Sequence, residues 1–216
     1  MKTIKIILIV TFSNIFARIY GQEVKYNQLD SLTVRFVEKL QQKNIDTICI
    51  YLDYCIGTIH IKNNDDSCAY SNSIFIPTYI LWRFNGKTFL HKKDNCYNYK
   101  TIEIEAQTIW NIVFKYQSEI QKEKEKVFEY KQESKKKSFV KITSSPCIRE
   151  FSIFIGNKKN EMRFYQSDLK EEWDMDKNIN YSHNQNLKGL ILVNHLEELI
   201  KGIETDSLLI RDGWVR

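Results

Sequence analysis

The chain reads as an α+β fold, an antiparallel sheet centred on a hairpin at residues 79–92 and packed against two or three helices. Three observations predict it. The stretch Tyr79–Lys92, YILWRFNGKTFLHK, holds two apolar runs separated by Asn85-Gly86, the pair that tolerates positive φ at both centres of a type I′ turn. Further short runs rich in β-branched and aromatic residues are bounded by polar turns. Two other stretches carry apolar residues at helical spacing.

The two-residue loop sets the hairpin register. Phe84 faces Lys87, Trp82 faces Phe89, Leu81 faces Leu90 and Ile80 faces His91. Ile80, Trp82, Phe84 and Phe89 then share one face, which is expected to be buried.

Taken in order, the chain opens with Lys2 and Lys5, then a mostly apolar run from Ile6 to Phe16, with Gly21 placed for cleavage before Gln22. That is the pattern of a secretory signal peptide over residues 1–21, followed by a single α+β domain over 22–216. The apolar run is shorter than the roughly 20 residues a membrane span needs, so no stable anchor is expected after cleavage. Leu29, Leu32, Phe36, Val37 and Leu40 predict a helix over Gln28–Lys43, with Asn27 as its N-cap. Thr47–Tyr51 and Ile56–Lys62 read as short strands separated around Asp53-Tyr54. Ile74–Ile76 leads into Pro77, which implies an edge or a break before the hairpin. Tyr97–Glu105 alternates as a further strand.

Ile109, Val113, Tyr116, Ile120, Val127 and Tyr130 trace a near-heptad stripe, which predicts one long helix over Ala106–Lys136 with a charged, solvated second half. Phe151–Ile155 and Glu161–Tyr165 form a second hairpin with residues 156–160 as its loop. Ser167–Asn186 is polar and reads as irregular. Residues 187–203 admit two readings, a strand at Gly189–Val193 followed by a helix capped by Asn194, or one helix throughout. Leu208–Ile210 is expected to be a terminal strand ended by Asp212-Gly213.

Charge bounds the function. The net charge of +5 includes Lys2, Lys5 and Arg18; without them 29 basic residues face 27 acidic ones, +2. The basicity belongs largely to the targeting segment, and a nucleic-acid partner is not expected. All five cysteines lie beyond it, which in an oxidising compartment allows two disulfides and one thiol. Cys68 precedes the hairpin and Cys96 follows it, so Cys68–Cys96 is the candidate bridge.

No sequence feature selects a catalytic, cofactor-binding or metal-binding residue. A GxSxG elbow and HExxH are missing, and of the four histidines, His60, His91, His183 and His195, none is placed by the sequence with a thiol, as a pair such as Cys55 with His91 would need. Asp174-Met175-Asp176-Lys177-Asn178 opens like a calcium loop, but Ile179 stands where a glycine is needed and Gln185 where a glutamate is needed. Aromatic supply remains, and Tyr97, Tyr99 and Trp173 are the candidate interaction residues. The expectation is an exported, secreted or periplasmic, non-enzymatic module that binds another protein or a cell-envelope component, without a cofactor. The alternative is a small extracytoplasmic hydrolase whose site assembles only in the fold.

Overall fold

The computed structural model describes residues 31–56, 76–94, 96–132 and 137–214. The chain divides into two compact units, Met1–Leu40 and Gln41–Arg216. The signal-peptide segment, Cys68, the Ile56–Lys62 run beyond its first residue and the Ile74–Ile76 run before its last lie outside the described residues. Helix α1 (Ser31–Gln42) falls within the predicted Gln28–Lys43 helix and buries Val37 and Leu40. It stops at Asn44, whose φ of 58° and N–H to the Gln41 carbonyl supply the left-handed cap that ends many helices.

The second unit is built on an eight-stranded sheet. Its strands are β1 (Thr47–Cys55), β2 (Thr78–Phe84), β3 (Lys87–Lys93), β4 (Tyr97–Tyr99), β5 (Ile102–Ile104), β8 (Cys147–Ile155), β9 (Lys158–Tyr165) and β12 (Arg211–Trp214). Their order is β12-β4-β3-β2-β1-β8-β9, with β5 also on β3. The hairpin register is the one read from Asn85-Gly86, with φ of 51° and 77° at the two turn residues. Pro77 sits just before β2, which is central and pairs with both β1 and β3. Phe84 departs from expectation. It lies beside the turn, where the strands run out of neighbours, and is 44% exposed.

Several boundaries move for identifiable reasons. β1 runs on through Asp53-Tyr54 to Cys55, because β8 pairs with it along its whole length. Tyr97–Glu105 becomes two short strands. Lys93 pairs with Asn98 but Leu90 with Ile102, so an extra residue is accommodated at Lys100-Thr101. The second hairpin closes through two residues, not five, since Gly156 takes a φ of 56° and Ile155 pairs directly with Lys158. The terminal strand begins three residues later than expected, at Arg211, because Tyr97–Tyr99 offers its edge there.

Among the described residues four helices accompany this sheet: α2 (Gln107–Lys115), α3 (Gln117–Lys122), α4 (Tyr181–Gln185) and α5 (Lys188–Thr205). Residues 188–203 therefore belong to one helix, with Leu187 as its extended N-cap, and Asn194 lies inside it. Cys49, Leu81, Leu90, Phe151 and Phe164 on one sheet face pack with Trp110 and Val113 of α2 and Leu192 and Leu196 of α5. Each such fully buried side chain contributes about 1.5–3 kcal/mol. Trp110 also donates its indole N–H to Thr88 Oγ1 at 2.9 Å. Ile48, Ile50 and Ile80, on the opposite face, are fully buried too. Gly189 lies close against β9, and a Cβ there would meet Met162 Sδ at 2.2 Å, so that flexible side chain would have to shift.

The long helix is the principal correction. It breaks at Tyr116, resumes as α3, and ends at Glu123, whose φ and ψ of −67° and 148° are extended. Residues 123–128 then run as a strap into β6 (Glu129–Gln132), which pairs with β7 (Lys137–Val140) away from the main sheet. The coiled-coil stripe is dismantled with it. Val127 is 49% exposed while its neighbour Phe128 is fully buried, an alternation that suits a strand.

Candidate functional site

The strap explains itself residue by residue. In Glu123-Lys124-Glu125-Lys126 the glutamates turn inward and the lysines outward. Glu123 accepts the N–H groups of Lys188 and Gly189 at 2.9 and 3.0 Å, capping the start of α5. Glu125 accepts the Tyr165 N–H through both oxygens. Burial pushes the Glu125 carboxyl up to about 8, the Tyr165 bond opposes that shift, and the nearby Asp168 adds to it.

Asparagines complete the attachment. Asn184, fully buried, accepts from Lys126 N–H at 2.9 Å and donates to the Lys126 and Asp168 carbonyls at 2.7 and 2.9 Å. Asp168 accepts the Phe128 N–H at 2.9 Å. Asn178 donates to the Asp168 and Lys170 carbonyls and accepts from Asn180 N–H. These bonds answer the backbone demands that a helix would have met internally.

The polar run Ser167–Asn186 is ordered by the same contacts. It contains a small hairpin of β10 (Glu172–Trp173) and β11 (Asp176–Lys177), turning through Asp174 and Met175 at φ of 51° and 67°. The calcium-like carboxylates are occupied by a lysine. Lys141 Nζ lies 3.3 Å from Asp174 Oδ2 and 2.9 Å from Asp176 Oδ2, and donates to the Trp173 carbonyl at 2.6 Å. Trp173 packs edge-on against Phe128, with the Lys141 ammonium 5.4 Å from its ring centre.

A two-stranded platform thus stands on a fixed base. Tyr130 opposes Phe139 and Glu129 opposes Val140, while Lys141 N–H bonds the Phe128 carbonyl at 3.0 Å. Alternation puts Phe128, Tyr130, Phe139 and Lys141 toward the base. The opposite face carries Val127, Val140 and Ile142, exposed by 49%, 51% and 84%.

The residues singled out from sequence separate. Tyr97 and Tyr99 are buried in β4, packed with Cys96 and Leu209. Asp94 anchors them, accepting from the Cys96 and Tyr97 N–H groups at 2.8 Å each and from the Tyr99 hydroxyl at 3.0 Å. Trp173 belongs to the platform base. Cys96 is disulfide-bonded, while Cys68, its expected partner, lies outside the described residues. An unforeseen bridge joins Cys55 to Cys147, which face each other across β1 and β8 at a sequence separation of 92.

The fold holds two further polar regions. At the seam of α5 and the sheet, Tyr79 and Lys92 bond Glu204 Oε1 at 2.6 and 2.5 Å, and Arg149 meets Glu197 at 3.0 Å. Burial works against ionising Glu204, but the bonds from Lys92 and Tyr79 outweigh it and hold the carboxyl below the ordinary glutamate range. These charges are spent on one another across the seam. A shallow groove of about 550 Å³ lies between Asn44–Asp46 and the Gly156-Asn157 turn, with Lys159 at its rim bound to Glu161. Burial pushes the free thiol of Cys49 up to about 12, which leaves it protonated and inert at neutral pH. His91 is buried, its Nδ1 3.4 Å from Thr101 Oγ1, and burial and Lys93 hold its pKa down. Among the described residues no three His, Cys, Asp or Glu side chains converge as a metal site requires.

Sequence reasoning missed the platform because Val127, Phe128 and Tyr130 of its first strand sit inside a charged helical stripe. The visible signal was Val140-Lys141-Ile142, an alternation too short to stand out. Comparisons with protein-family models, curated proteins and solved structures found no match to this chain.

Proposed function

We propose that the chain is an exported, non-enzymatic binding module, secreted or periplasmic, whose partner is another protein or a cell-envelope component. The observation that carries the reading is the solvent-facing side of β6–β7, where Val127, Val140 and Ile142 lie together on a platform held by buried bonds. Isolated exposed apolar residues are ordinary, whereas a cross-strand group on a pinned sheet marks a contact surface. Export is supported by the basic and apolar pattern of residues 1–21 and by the Cys55–Cys147 bridge. Among the described residues no helix is long and apolar enough to cross a membrane. With Cys49 free and Cys55 joined to Cys147, Cys68 is the partner left for the disulfide of Cys96.

Two measurements test this reading. The intact mass of protein recovered outside the cytoplasm, alkylated in denaturant without reductant, is expected to begin at Gln22 and carry one alkyl group, on Cys49. A chain starting at Met1 with all five cysteines alkylated overturns export. In cross-linking capture from envelope extract, the wild type is expected to retain a partner that the V127D/I142D variant loses. Equal capture by both, or capture by neither, overturns the platform as the binding surface.

A further inference from the structure

Resting on that reading, we infer that the outer edge of β7 accepts an extended, acidic segment of a partner protein as an added antiparallel strand, flanked by the apolar face of the platform. The backbone directions follow from the ladder. The bond from the Lys141 N–H to the Phe128 carbonyl sets the parity of the ladder, so Tyr130–Phe139 and Gln132–Lys137 turn their N–H and C=O groups toward each other, and the residues between them point theirs away from the partner strand. On the strap and the start of β6 those outward groups are taken. The Glu129 carbonyl receives the Ile179 N–H at 2.8 Å, and the Val127 carbonyl receives the Asn180 amide at 3.0 Å. On β7 the outward residues are Ser138 and Val140, both exposed, and among the described residues no strand pairs with that edge.

An open edge is a template for strand addition, with backbone bonds giving affinity and alternate side chains giving selectivity. Side chains of an incoming strand on the solvent face would lie beside Val140 and Ile142, which favours apolar residues there. Charge selects the rest. Lys122, Lys124, Lys126, Lys131 and Lys137 are all exposed, whereas Glu123 and Glu125 are turned inward onto backbone amides. The exposed charge of these segments is therefore basic, with the Glu129 carboxylate held by the Asn180 amide, and an acidic strand complements it. A second copy would bring the same lysines against themselves.

The test uses the full mature chain and two capped octapeptides, one alternating valine with glutamate, the other valine with lysine. Binding is followed by amide exchange at Val140 and by titration. The glutamate peptide is expected to bind about tenfold more tightly than the lysine peptide and to slow exchange of the Val140 N–H. V140P removes the outward donor without touching the β6–β7 ladder, and should abolish binding while thermal melting shows the fold intact. Should that variant fail to fold, K131E/K137E provides the second test, since it should reverse the peptide preference. Absence of preference between the peptides overturns the inference. So does protection of Val140 that grows with protein concentration alone, which would assign the edge to a second copy. Binding to phosphatidylglycerol vesicles without Val140 protection overturns it in favour of a lipid surface. A captured partner protein that leaves Val140 exchange unchanged would preserve the binding module and reject the edge.

Discussion

The helix-covered face of the main sheet and the strap with its platform are held together by different physics. Under α2 and α5, Cys49, Leu81, Phe151 and Phe164 interlock with Trp110 and Leu196, and burial of hydrocarbon supplies the stability. Between residues 123 and 142 little is buried besides Phe128. There Asn184, Asp168, Asn178, Glu123 and Glu125 each hold named backbone groups. The first arrangement tolerates any side chain of similar shape. The second depends on donors and acceptors at single addresses, where one lost partner strands a buried group.

That contrast can be broken or sharpened by substitution. The largest effect is expected in the core. W110A removes a fully buried ring and the bond to Thr88, and should cost about 4 kcal/mol in urea unfolding, spread over every probe. A loss confined to residues 123–142 would mean that the two regions are not distinct. N184L should come next, at roughly 3 kcal/mol, because it strands the Lys126 N–H and carbonyl, while the Asp168 carbonyl keeps the Asn178 amide. Its signature is local, with amide exchange at Lys126 and Phe128 accelerating while that of Leu81 is unchanged. Uniform acceleration would place Asn184 in the global core instead.

A smaller, pH-dependent effect belongs to Glu125. With its carboxyl raised from 4.5 to about 8, the folded chain holds a proton that the unfolded chain releases. Stability from this group is therefore greatest below about 4.5, falls as pH rises toward 8, and is flat above. E125Q keeps an acceptor for Tyr165 and should erase that slope in melts run across the window; an unaltered slope would contradict the shift. The smallest effect is expected from K141M, which releases Asp174 and Asp176 at a solvent-lined site. The melting midpoint should hold while amides around the Asp174-Met175 turn exchange faster. A lower global midpoint would show that the platform base supports the core.

Much of the main sheet was legible beforehand, since it follows from short-range rules. Asn85-Gly86 specifies its turn locally, and the register of seven cross-strand pairs follows from it. α5 was legible as one of two readings, and what decided between them was Glu123, a cap 65 residues away that replaces the one expected from Asn194. The long helix failed for a related reason. Helical propensity and charge pairs favour residues 117–136, but they are weak, and Asn184 and Asp168 offer the same backbone stronger bonds in extended form. The candidate surface was illegible with it, because Val127 and Ile142 become neighbours only once 127–142 folds back as a hairpin.

By itself, then, the sequence determined the α+β class and the central hairpin with its register, all consequences of turn chemistry and apolar period acting over a few residues. Only the tertiary structure decided where the long helix ends, that Cys55 meets Cys147, that two calcium-like carboxylates hold a lysine, and which strand edge stays open. Each of these depends on partners tens of residues apart, and contacts between such partners leave no periodic trace along the chain.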